Sequence, residues 1–146
     1  RYKDGAWAYD VLFIGWREKS DDIHASIGIE QLKKLDTMNE ARKRIITQYN
    51  AKLGLSRVGL HLFPILVNDR TRFIDFMKHN GVQVSVHFLP LTTMTAYKKY
   101  SKNVNLPNTT YLGERLVSLP LYPGLTTEEI DYISELVLKS GLFIKE

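Results

Sequence analysis

The sequence predicts an α+β protein, one long helix followed by a small domain in which a two- to three-stranded sheet carries helices on one face. Three observations predict it. An apolar repeat at helical spacing runs without proline from Asp21 to Leu53. The stretch VQVSVHF, residues 82–88, alternates as a half-buried strand does. A last segment, from Thr126 to Lys139, opens with a complete helix-start signature.

The long helix starts at Ser20 or Asp21, where a short polar side chain can accept from free amide groups and two acids meet the positive end of the helix dipole. Ala25, Ile29, Leu32, Leu35, Ile45, Tyr49 and Leu53 form its apolar stripe, and Gly54 is the expected terminator. Such a helix would span roughly 50 Å. That length suits a bridge between domains, or a helix bent near Asp36-Thr37. Gly28 lies mid-helix beside Ala25 and Ser26, small residues that allow another backbone to approach.

Before this helix, residues 1–20 read as an extended arm and loop in which Trp7, Tyr9 and Trp16 crowd together. After it, LHLFPILV at 60–67 reads as a strand in which Pro64 demands an edge position or a bulge. Asp69 caps a helix with Phe73, Ile74, Phe76 and Met77 on its apolar face, ended by Gly81. In 82–88 the valines and Phe88 face one way, and Gln83, Ser85 and His87 the other. Residues 89–107 are loop-rich, with a short helix expected at 95–100, and 111–117 suit a further helix. SLPLYPG, at 118–124, reads as an extended segment and turn rather than a central strand. The last helix has Thr126 and Glu129 as a capping box, Leu125 and Ile130 as a staple, and Ile130, Ile133, Leu136 and Val137 as its buried face. The chain therefore divides into 1–20, the connecting helix 21–54 and a C-terminal α+β domain 55–146.

Composition narrows the function. With 146 residues, 44% of them hydrophobic, the chain can bury a core. It has no cysteine, which excludes disulfides and thiolate chemistry. A net charge of +4 permits an anionic ligand without demanding nucleic acid, and no basic-aromatic pattern supports that partner. No run approaches the roughly 18 apolar residues of a membrane span, and no signal peptide is visible, so a cytoplasmic setting is expected. The first residue is Arg1 rather than Met, which reads as a fragment or processed product.

Phosphate-binding loops, dinucleotide fingerprints and zinc-protease motifs are absent. The four histidines are scattered, so no metal site is expected. Among them His87 stands out, off the apolar face of its strand with Pro90 fixing the loop beyond, although a polar-face histidine is more often simply solvated. Arg17 and Lys19 lie near the long helix's N-terminus, where amide groups also attract anions, and Glu18, Asp21 and Asp22 partly cancel that field.

Several stretches together resemble the DegT/DnrJ/EryC1/StrS family of pyridoxal-phosphate-dependent sugar aminotransferases. They are GWREKSDDIHASIG at 15–28, QLKKLD at 31–36, Arg42, Tyr49, Gly81, VHFLP at 86–90, SLPLYP at 118–123, Leu125-Thr126 and Glu128-Glu129-Ile130. The order is the family's, across nearly the whole chain.

The resemblance implies the small domain of a fold-type I aminotransferase, homodimeric when complete, that moves an amino group from an amino acid onto a keto-sugar nucleotide. It implies a missing N-terminal large domain carrying the Schiff-base lysine, so this chain alone should be inactive and should not bind the cofactor by itself. In the family the loop before the long helix reaches the neighbouring subunit's cofactor phosphate, which gives Arg17 and Lys19 that role. Here Glu18 stands for the family's aromatic residue, Lys19 for its Asn and Ser20 for its Met. His87 matches a strand-end histidine near the substrate cleft, and a second histidine common beyond the next proline is Thr92 here. The alternative is a non-catalytic binding or regulatory protein that retains only the small domain.

Overall fold

The computed structural model describes residues 21–93, 97, 102 and 104–145. Expectations for residues 1–20, among them the arm, the aromatic crowd, Arg17 and Lys19, lie outside the described residues, as does the helix at 95–100 apart from Tyr97. The chain separates into two compact units, Arg1–Leu35 and Asp36–Glu146.

In the first unit, helix α1 (Asp22–Leu32) begins where Asp21 accepts the His24 N–H at 2.9 Å. No residue of α1 is buried, and Ile23 and Leu32 are 72% and 69% exposed. The apolar stripe expected there therefore covers nothing among the described residues. Among the described residues, a Cβ on Gly28 would meet no atom within 4 Å.

The single long helix is not continuous. The Lys34 N–H bonds to the Gln31 carbonyl at 3.1 Å, a tighter three-residue span that interrupts the ladder before α2 (Leu35–Leu53) begins. No proline or glycine marks the break, but the apolar stripe lapses between Leu35 and Ile45. Burial in α2 is confined to Ile45, Ile46, Tyr49 and Leu53. Gly54 ends it at φ 67°, as expected.

The second unit is built on a three-stranded antiparallel sheet, ordered β2-β1-β3, from β1 (Phe63–Val67), β2 (Leu116–Leu119) and β3 (Phe143–Ile144). Phe63 pairs with Leu119 and Leu66 with Leu116, while β3 reaches only Leu66 and Val67. That short reach resolves the problem of Pro64 in a central strand: at Pro64 only β2 lies alongside, and the Pro64 carbonyl accepts the Arg57 Nε–H at 3.1 Å. Arg57 is itself held by Asn50, which accepts its backbone N–H at 2.9 Å and donates to its carbonyl at 2.7 Å, tying the end of α2 to the approach of β1.

Phe63, Ile65 and Val67, which alternation puts on one face of β1, are fully buried. They join Ile45, Tyr49 and Leu53 of α2, Phe73 and Met77 of α3 (Arg70–His79), and Ile130, Ile133, Leu136 and Val137 of α5 (Thr127–Lys139) in one core. The Tyr49 and Phe63 rings lie 4.8 Å apart. Asp69 caps α3, and Thr126 and Glu129 form the expected capping box of α5.

SLPL contributes an outer strand, β2, as far as Leu119. The stretch VQVSVHF differs more. It pairs with β2 at one position alone, where Ser85 and Ser118 exchange N–H···O bonds of 3.2 and 2.8 Å. Alternation is a local signal, but a strand needs a partner of matching length, and β2 is four residues long and followed by Pro120, which has no N–H to continue a ladder. Helix α4 (Pro107–Arg115) starts earlier than the sequence suggests, with its proline at the first helical position. It approaches the segment after His87 so closely that a Cβ on Gly113 would clash with the Pro90 ring.

Candidate functional site around His87

The Ser85–Ser118 bridge holds Gln83, Ser85 and His87 beside the end of β2. A pocket of about 200 Å³ opens there, lined by His61, Gln83, Ser85, His87, Ser118 and Leu121 among others. A buried polar atom on each of two lining residues, His87 Nδ1 and Ser118 Oγ, has no hydrogen-bond partner among the described residues. Buried polar atoms are rarely left unpaired, so these two stand out beside the pocket. Imidazole nitrogen and hydroxyl can each donate or accept, so together they suit a hydroxyl, carbonyl or phosphate oxygen.

Of the site residues singled out from sequence, His87 is the one that lies among the described residues, and it is half-buried, its ring 5.1 Å from that of Phe88 in an edge arrangement. The structure brings His61 to the same pocket. The other two histidines are engaged locally: His79 Nδ1 lies 2.7 Å from the Asp75 carbonyl, and His24 Nδ1 lies 2.7 Å from Asp21. The His24 backbone N–H, and then its ring, hold the Asp21 carboxyl below the usual range. No group of three metal-ligating side chains occurs among the described residues. Spacing alone does not join His61 and Ser118 to His87, because only the β1–β2 pairing brings residues so far apart in sequence together. A signal was present nonetheless, in a serine inside the otherwise apolar run LVSLPL.

Next to this pocket, and sharing Gln83, Ser85 and Pro120 with it, is a larger hollow of about 470 Å³ walled by Tyr122, Leu125, Glu129 and Tyr132. Below it, the Tyr49 hydroxyl donates to the Pro120 carbonyl at 3.2 Å. Burial foremost, then Tyr122 and Glu129, push the Tyr49 phenol well above its ordinary value.

The family model of DegT/DnrJ/EryC1/StrS aminotransferases matches residues 2–138. The chain belongs to this family. It is 35% identical over 148 aligned positions to an uncharacterized protein of Methanocaldococcus jannaschii, an alignment covering 87% of this chain and 38% of that protein. It superposes with a TM-score of 0.75 and 28% identity on a family aminotransferase from Brucella abortus, covering 92% of this chain and 39% of the other. The PLP form of a Streptococcus pneumoniae protein, provisionally described as a sugar aminotransferase, gives 0.73 and 27%, covering 94% and 40%. The chain thus spans about 38% of the length of the curated relative. These likenesses do not favour a binding protein outside the aminotransferases.

Pyridoxal phosphate, the cofactor the family implies, needs a lysine amine for its aldehyde and an acid beside its ring nitrogen. The His87 pocket is lined by neither lysine nor carboxylate, so its residues do not fit that role. What they fit is the recognition of a neutral or anionic polar group. No helix among the described residues is long and apolar enough to cross a membrane.

Proposed function

We propose that this chain supplies the small-domain share of a pyridoxal-phosphate-dependent aminotransferase acting on a keto-sugar nucleotide, with an amino acid as donor. The observation that carries the reading is the pocket lined by His87 and Ser118 in a chain that matches the aminotransferase family over residues 2–138. In this reading His87 lines the substrate side and Ser118 helps it hold a sugar or phosphate oxygen. Arg17 and Lys19 reach the cofactor phosphate of a second subunit, in a cytoplasmic homodimer whose lysine-bearing domain lies outside these 146 residues. The Streptococcus pneumoniae protein, provisionally described as acting on sugars, supports the substrate class.

The test is NMR titration of the chain with UDP-N-acetylglucosamine, reading the imidazole C–H signals. The His87 and His61 signals shift together while those of His24 and His79 stay, and His87→Ala or Ser118→Ala weakens binding several-fold, as loss of a buried hydrogen bond of about 1 kcal/mol predicts. If the first two histidines stay unmoved at millimolar ligand, the pocket has no substrate role.

A further inference from the structure

We propose that the hollow between residues 81–85 and the first half of α5 is a binding site for a small organic cation, an ammonium carried on an apolar or aromatic body. Its volume of about 470 Å³ is that of a small-molecule site. Val82, Leu125 and Ile133 give it apolar walls, and Tyr122 and Tyr132, each about half-exposed, give it two aromatic rings. The Tyr132 hydroxyl donates to the Asn80 carbonyl at 3.0 Å, which fixes that ring before any ligand arrives. Aromatic rings attract cations through their negative faces.

The charge balance points the same way. Among the described residues, no lysine, arginine or histidine lines the hollow, and Glu129 is the one ionic group that does. Two other acids of α5 have cations, Asp131 at 2.7 Å from Lys52 and Glu135 at 2.7 Å from Lys139. Glu129 has no such ion pair among the described residues. Its Oε2 accepts the Thr126 N–H at 2.8 Å, which orients the carboxylate without neutralising it. The positive end of the α5 dipole offsets part of that charge, but Glu128 adds a second acid on the same turn.

The proposal does not depend on the aminotransferase reading, and its test leaves His87 and Ser118 alone. The chain is titrated with phenethylamine, phenethyl alcohol and phenylacetate, three probes of nearly one shape and different charge, with backbone amide shifts as readout. The amine binds best, the alcohol more weakly and the acid least, with shifts clustered at 81–85 and 122–133. Glu129→Gln removes the charge and keeps the capping box, which glutamine completes as well as glutamate does. It weakens the amine about five-fold, the order expected for one charge pair near water, and leaves the alcohol unchanged. Alcohol binding is thus the control for an intact fold. Equal binding of acid and amine, an unaffected amine in Glu129→Gln, shifts elsewhere or no binding would each overturn the assignment. So would tighter binding of a lysine peptide than of the amine, which would make the hollow a protein-docking surface.

Discussion

Tyr49 is where α2 is fastened to the rest of the second unit, and a graded series at this position measures how firmly. Its side chain is fully buried, its ring sits 4.8 Å from Phe63, and its hydroxyl makes a single bond, to the Pro120 carbonyl. Tyr49→Phe removes that bond alone. Because Pro120 is half-buried and water can replace the donor, the cost is about 0.5–1 kcal/mol. Tyr49→Ala also removes the ring and leaves a cavity, at about 3–5 kcal/mol, a large share of the 5–15 kcal/mol that typically holds a domain together. Urea unfolding followed by far-UV circular dichroism reads both. A cycle with Phe63→Leu isolates the ring pair, expected at about 0.5–1.5 kcal/mol. A Tyr49→Ala cost below about 1.5 kcal/mol, or a Tyr49→Phe cost equal to it, would refute the claim that the buried ring fastens the helix.

Three further outcomes follow from the same structure. Thr126→Ala removes the acceptor of the Glu129 N–H and lowers stability by about 1 kcal/mol, seen as a melting shift of roughly 3–6 °C. Glycine-to-alanine changes in two helices have opposite signs: Gly28→Ala, facing open space, raises the helicity of α1 by up to about 1 kcal/mol, whereas Gly113→Ala drives a Cβ into Pro90 and destabilises by about 1–3 kcal/mol, as paired thermal melts would show. Tyr49 also makes stability fall in alkali. Its folded pKa is raised, so its contribution is intact below the unfolded value near 10 and declines by up to about 1.4 kcal/mol per pH unit above it. Denaturant midpoints across that range should decline less steeply in Tyr49→Phe than in the parent.

The elements that the sequence announced correctly are those whose signals are local. The Thr126/Glu129 box, the Asp69 cap and the positive-φ glycines at 54 and 81 each depend on a few neighbouring residues, and each is present. Periodicity is less decisive, because burial and pairing are supplied from elsewhere. The stripe of Ala25, Ile29 and Leu32 is exposed among the described residues, and the alternation of 82–88, which promised a strand, yields a single bridge. Pro64 argued for an edge position or a bulge, yet β1 is the central strand; proline is accommodated there because β3 pairs only with Leu66 and Val67, and β3's two-residue length is invisible in the run LHLFPILV. At the candidate site His87 stood out by alternation, while Ser118 and His61 needed the β1–β2 register to join it.

The two-residue β3 has a consequence out of proportion to its size. It closes the side of β1 that would otherwise offer free amides and carbonyls at Leu66 and Val67, with the Asn68 N–H adding a bond of 2.9 Å to the Leu142 carbonyl. Stripped of residues 142–146, the apolar run FPILV would become a bare edge, the kind of template along which identical chains stack. Phe143 and Ile144 thus guard the chain against self-association as much as they stabilise its fold.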